Sequence, residues 1–205
     1  WSSAFLFMTL YTTLPACKVI HSTKPCLFTD DLDQEGLLGF LNSKLTTAFL
    51  EFIAPTLDFQ SGHISKLPIF SDSLSRPQGR RIAESCTALA RDDWDAYETS
   101  WDFTEHPLLG ARVTSTAVVH YPDSSTKKDS LSSNYLTLRA DWRSMTEKMR
   151  SLQEENNRVL SESYGLEDEL NSEVPLAEVT LTCNPHYRYG SSKLKTRNWS
   201  NFCDR

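Results

Sequence analysis

The chain has 205 residues, of which 39% are hydrophobic, 23% charged and 11% aromatic, and its formal net charge is −6. That composition supplies enough apolar material to bury a core, so it excludes a low-complexity chain and fits one large or two small domains. Five cysteines, odd in number and never in a C-x-x-C pair, and five scattered histidines exclude a disulfide framework and a zinc site, which leaves reduced thiols and a cytoplasmic protein as the expectation.

The chain opens inside an apolar run, "WSSAFLFMTLYTTLPAC", without a start methionine, and we expect a piece of a longer protein. No Lys or Arg occurs before Lys18 and Pro15 interrupts the run, so it matches neither a secretory signal nor a membrane span. "VIHSTKPCLFTDD" then predicts a short strand ended by a turn. From Gln34 to about Ile53 the apolar residues Leu37, Leu41, Leu45, Ala48 and Phe52 recur at spacings of three and four, which predicts one helix stopped by Pro55. "PTLDFQSGHISKLPIF" predicts a loop around Gly62 and a short strand ending near Pro68, and "SDSLSRPQGR" a turn before a helix through "RRIAESCTALA".

Further on, Trp94, Tyr97 and Trp101 lie at i, i+3 and i+7 among Asp92, Asp93, Asp95, Glu98 and Asp102. Interleaved aromatics can stack on bases, but carboxylates beside a phosphate chain are unfavourable, so the spacing predicts a buried helical face instead. Beyond the polar stretch "STKKDSLSSN" comes the clearest periodicity in the chain: Leu131, Tyr135, Leu138, Trp142, Met145, Met149, Leu152, Asn156 and Val159. Alternating steps of four and three make a heptad seam, predicting one long helix from about Asn134 to Tyr164. It should lie against another helix of the same chain, with Asn156 fixing register and Gly165 capping the end.

Charge divides the chain into three. Residues 1–90 hold 7 Lys+Arg against 8 Asp+Glu, residues 91–182 hold 9 against 18, and residues 183–205 hold 5 against 1. Phosphate is repelled by the acidic middle, so nucleic-acid contacts belong in the first part or the tail. The glycines (36, 39, 62, 79, 110, 165 and 190) include no pair one residue apart, so the Gly-rich loop that cradles a dinucleotide or S-adenosylmethionine is missing. Nor is there a P-loop, a Gly-x-Ser-x-Gly elbow or a His-Glu-x-x-His pair.

Three blocks carry a family resemblance: "LLGFLNSKLTTAFLEFIAPTLDFQSGHISKLPI" (37–69), "DWDAYETSWDFTEHPLL" (93–109) and "SESYGLEDELNSEVPLAEVTLTCNP" (161–185). In this order they resemble the C-terminal half of PglX, the adenine-specific DNA methyltransferases of BREX phage-defence systems, a family that includes fused restriction-modification enzymes. The resemblance implies an α+β fold: a target-recognition-like α/β segment at about 1–90, a mainly helical spacer at 91–175 containing the long heptad helix, and a basic tail segment at 176–205. It implies a parent that moves a methyl group from S-adenosylmethionine to an adenine flipped out of duplex DNA. This piece would bind no cofactor itself and would hold no catalytic residue.

Its expected contacts with duplex DNA are Lys44, Gln60, Ser61, His63, Lys66, Arg80 and Arg81, with Arg suited to guanine and Gln to adenine. Solvated surface is the plain alternative for each of them. DNA binding by the isolated chain should be weak, and other phage-defence proteins are possible partners. The rival expectation is an interaction module, without enzymatic activity, whose heptad helix and acidic face dock a protein.

Adenine methyltransferases also carry an Asn/Asp-Pro-Pro-Tyr/Phe motif, in which a polar side chain and a carbonyl bind the target amino group and the ring stacks on the base. In "TLTCNPHYRYG" (180–190), Asn184, Pro185 and Tyr187 fit this pattern and His186 does not. The family's catalytic loop precedes the recognition region, whereas this stretch follows it. We therefore expect a look-alike, a surface turn started by Asn-Pro.

Overall fold

The computed structural model describes residues 33–54, 61–70, 74–110 and 131–194. In chain order its helices are α1 (Gln34–Leu41), α2 (Lys44–Ile53), the single turn α3 (Ser61–Ile64), α4 (Pro77–Asp95), the single turn α5 (Pro107–Gly110), α6 (Leu131–Tyr164) and α7 (Pro185–Leu194), with a 3-10 turn at Leu176–Glu178 before α7. Among the described residues there is no strand, which corrects the α+β expectation: the architecture is helical. The strand expected over 19–31 lies outside the described residues. The one expected near Pro68 is replaced by irregular backbone, because Leu67 and Ile69 turn into the core and the neighbouring backbone groups bond to a tyrosine side chain instead of a second extended segment.

The helix expected over 34–53 is two helices. Asp33 caps α1 by accepting from the Gly36 N–H at 3.1 Å. Asn42 and Ser43 then interrupt it, for a reason readable in their chemistry: short polar side chains compete for backbone groups and favour helix ends. The Ser43 hydroxyl donates to the Phe40 carbonyl at 2.6 Å and accepts from the Thr46 N–H at 3.2 Å, so it ends α1 and caps α2. After the break the inward face of α2 runs through Thr46, Leu50 and Ile53. Phe52, about 100° round the helix from Ile53, is left 91% exposed.

Pro77 opens α4, its fixed φ suiting a first helical position. α4 lies antiparallel against α6, with Gln78 bonded to Glu155 near one end and Leu89 packed with Met149 further along. The seam is largely buried: Leu138, Met149, Asn156 and Val159 are closed to solvent, while Tyr135 near the start is 40% exposed. α6 ends in a Schellman motif. Gly165 takes φ +64, its N–H bonds the Glu162 carbonyl at 3.3 Å, and the Leu166 N–H bonds Ser161 at 2.9 Å.

The expected aromatic face is not formed. α4 stops at Asp95, and turns through Tyr97 and Ser100, tied by a 2.6 Å bond from Ser100 Oγ to Asp95, break the helical phase. Trp94 is 37% and Trp101 85% exposed.

Two clusters form the core. Phe40, Leu41, Leu45, Leu50 and Leu74 from the first part gather with Leu160 of α6. Val179, Leu181 and Cys183 gather with Met149 and Leu89 along the middle of the α4–α6 pair. α6 contributes to both clusters.

Candidate nucleic-acid interface

The expected DNA contacts separate into groups. Lys44, at the start of α2, is drawn inward: its ammonium donates to the Glu173 carbonyl and lies 3.9 Å from Glu178, while its N–H bonds Asn157 at 3.0 Å. Arg80 stands among three carboxylates, Asp33 at 3.7 Å, Glu35 at 3.5 Å and Glu84 at 3.4 Å. Burial pushes the Asp33 carboxyl up, but the Gly36 N–H and the Arg80 guanidinium outweigh it and hold its pKa below the usual value. Arg81, one residue on and exposed, reaches back to the Pro77 carbonyl at 3.4 Å. Gln60 lies outside the described residues, and of Ser61 only the helical backbone is described.

His63 and Lys66 share one turn, the Lys66 N–H bonding the His63 carbonyl at 3.2 Å. Lys66 is exposed and takes part in none of the ion pairs among the described residues. Residues 61–70 hold no Asp or Glu.

This turn is anchored by Tyr164, the last residue of α6. Its hydroxyl donates to the Pro68 carbonyl at 2.8 Å and accepts from the Phe70 N–H at 3.4 Å. The ring centroid of Tyr164 lies 5.0 Å from that of Phe70, 5.9 Å from Phe40 and 6.0 Å from Phe49. Burial raises the pKa of the Tyr164 phenol, keeping it protonated as the donor to Pro68. The sequence reading missed this aromatic ridge because its members are far apart along the chain and no local spacing joins Tyr164 to Phe70. The only sequence signal was Pro68-Ile69-Phe70, an apolar end to a polar loop.

The Asn184-Pro185-His186-Tyr187 stretch sits elsewhere. Asn184 is fully buried. Its amide donates to the carbonyls of Leu176 at 2.7 Å and Val179 at 2.8 Å, and its Oδ1 accepts from the His186 N–H at 3.1 Å, which makes it the N-cap of α7 with Pro185 behind it. Both of its amide hydrogens are taken up by the fold, and no face is open to a base. Beside it Asp93, also buried, accepts from the N–H groups of Thr182 at 2.6 Å and Cys183 at 2.9 Å. Burial and the Asp93 charge push the Cys183 thiol up to about 12, and burial alone does the same for Cys86. Burial, helped by Asp93, takes the Tyr97 phenol to about 12. Burial lowers the pKa of the His186 imidazole, with Glu147 pulling the other way. This cluster holds a loop together and offers no activated nucleophile.

Two of the described glycines are needed for close packing. A Cβ on Gly36 would stand 2.2 Å from the Leu74 carbonyl oxygen, and one on Gly39 would stand 3.1 Å from Asn156 Oδ1. Both let the chain pass closely over α1, and Gly165 ends α6. Among the described residues no group of His, Cys, Asp or Glu is placed to hold a metal ion, and no helix is long and apolar enough to cross a membrane.

Comparison with known proteins yields no matching family model. The chain is 32% identical over 144 residues, 70% of its length, to the adenine-specific methyltransferase PglX of Lacticaseibacillus casei (strain Zhang). It is 24% identical over 168 residues, 82% of its length, to the adenine-specific methyltransferase BrxX of Escherichia coli O9:H4 (strain HS). The matches span 11% and 12% of those relatives, about one tenth of their length.

Proposed function

We propose that this chain, which is a PglX-like segment, contributes DNA target recognition and spacing to an adenine-specific methyltransferase, while the chemistry belongs to other parts of such a protein. There, S-adenosylmethionine would supply the methyl group to an adenine flipped from the duplex. The setting would be cytoplasmic phage defence of the BREX or restriction-modification kind, with other defence proteins as possible partners.

The observation that carries the reading is the 61–70 turn, where an exposed Lys66 and a half-buried His63 stand on a rigid aromatic support with no carboxylate among residues 61–70. Ser61 opens this turn and Gln60 precedes it in sequence. Arg81 is a further exposed cation, and Lys44 and Arg80 contribute less because carboxylates already neutralise them.

Anisotropy titration of the chain against a short duplex over a range of salt tests this. Weak binding that falls steeply with salt is expected, and Lys66→Ala should reduce the salt slope by about 1. Absence of binding at low salt, or affinity indifferent to salt, overturns the reading. A second reading, a protein-docking module, is favoured by the exposed Trp101, Leu109 and Leu136. It gains if that titration shows no DNA binding.

A further inference from the structure

We infer that the run of turns after α4 is a docking surface for an arginine- or lysine-rich segment of another protein, in which the Trp101 ring receives one cationic side chain and nearby carboxylates pair with others. The inference deepens the protein-docking reading by naming the partner's chemistry, and it uses none of the residues of the 61–70 turn.

Trp101 is 85% exposed, yet the backbone beneath it is fixed. The Tyr97 N–H bonds the Trp94 carbonyl at 3.3 Å, the Ser100 N–H bonds the Tyr97 carbonyl at 2.9 Å, and the Phe103 N–H bonds the Ser100 carbonyl at 3.5 Å. The buried Ser100 hydroxyl donates to Asp95 at 2.6 Å and accepts from the Asp102 N–H at 3.1 Å. Residues 94–103 are therefore wound into consecutive turns around Ser100, and the ring stands in water on an ordered support. A tryptophan presented in this way loses little freedom on binding, which suits it to anchor a protein interface.

Charge selects the partner. Residues 92–111 hold six Asp or Glu and no Lys or Arg. Glu98 and Asp102 belong to the same run of turns as Trp101; both are exposed, as is Glu105, and none of the three joins an ion pair among the described residues. The cation that α7 brings near is Arg188, whose charge acts on Tyr97. Its guanidinium lies over the neighbouring Tyr189 ring at 5.9 Å and pairs with none of these acids. Such a surface repels a nucleic acid or an anionic membrane and attracts a cation. Tryptophan is also the ring that holds a cation over its face most strongly. Arginine and lysine supply both the charge and an apolar stem to lie along the ring.

The test titrates the chain against a labelled peptide of alternating arginine and serine, followed by anisotropy at low salt, with a glutamate–serine peptide as control. The arginine peptide should bind, less tightly as salt rises, and the glutamate peptide should not. Trp101→Ala should weaken binding about tenfold with the melting temperature unchanged, and Trp101→Phe should recover part of the loss. Glu98→Gln combined with Asp102→Asn should weaken binding and flatten its salt dependence. Glu167→Gln combined with Asp168→Asn, the same loss of charge just past the C-terminal end of α6, should leave it unchanged. No binding of the arginine peptide, full affinity in Trp101→Ala, or equal losses from the two charge pairs overturns the inference, the last because net charge alone would then attract the peptide. A duplex titration keeps the DNA reading separate: loss of duplex binding in Trp101→Ala would give the ring to DNA and overturn the inference, whereas absence of duplex binding in the unmodified chain overturns the DNA reading and leaves this one standing.

Discussion

Asn156, the polar residue in the α6 seam, donates its side-chain amide to the carbonyl of Gly39 in α1 at 2.9 Å. That carbonyl lies in the last turn of α1. The next N–H groups bond elsewhere, Asn42 to Leu38 and Ser43 to Phe40, so Asn156 completes a helix end that would otherwise be buried unpaired. It also pins the axial position of α6 against α1.

Asn156→Leu should therefore destabilise the chain by roughly 1–3 kcal/mol, the range for a buried acceptor losing its donor. Urea unfolding checks the size, and hydrogen exchange should show α1 opening more readily while α4 keeps its protection. Unchanged stability would mean that water replaces the amide.

Asp93 makes a second long-range tie, accepting the backbone N–H groups of Thr182 and Cys183 from its place in α4. Asp93→Ala orphans both donors and should cost about 3 kcal/mol, whereas Asp93→Asn keeps one acceptor and should cost less. Faster exchange of the Thr182 and Cys183 amides is the specific readout. Equal losses in the two variants would point to the carboxylate's charge instead of its geometry.

The long helix was legible because its signal is repeated: nine seam positions in register outvote any single exception, and Gly165 marks the end chemically. The α1–α2 break was not, because a three-and-four pattern runs through Asn42-Ser43 without faltering and only the hydroxyl's bonds to Phe40 and Thr46 reveal the joint. The Trp94-Tyr97-Trp101 spacing misled for the opposite reason, since spacing presumes a continuous helix and α4 ends at Asp95. At the candidate interface, Lys44 and Arg80 pair with carboxylates that include residues remote in sequence, and residue type alone did not show those pairings.

The exposed Trp101 now carries a prediction opposite to that of a core residue. At 85% exposure, Trp101→Ala should change stability by no more than about 0.5 kcal/mol, as surface substitutions do. Thermal melting decides: a loss of several kcal/mol would show that the ring is buried in solution.

Asp33 sets a pH dependence. Its folded pKa lies below the ordinary 3.8, so the unfolded chain takes up the proton first. The stability that this carboxylate adds is present above about pH 4 and is lost as pH falls through the lower folded value. Asp33→Asn should keep the cap on α1, because asparagine caps as well, yet flatten the stability curve below about pH 4. Urea midpoints measured across that window check it, and parallel curves for the two proteins would assign the slope to other carboxylates.

The two described cysteines should be unreactive in the folded chain. Burial takes both thiols to about 12, with Asp93 adding to the effect at Cys183, so at about pH 8 almost none of either is the nucleophilic thiolate. Iodoacetamide should label Cys86 and Cys183 slowly in buffer and fully in denaturant, read peptide by peptide. Asp93→Ala separates the causes at Cys183. If that variant labels Cys183 quickly while Cys86 stays protected, the loop that Asp93 holds has opened, because charge removal without opening would leave the thiol buried and slow.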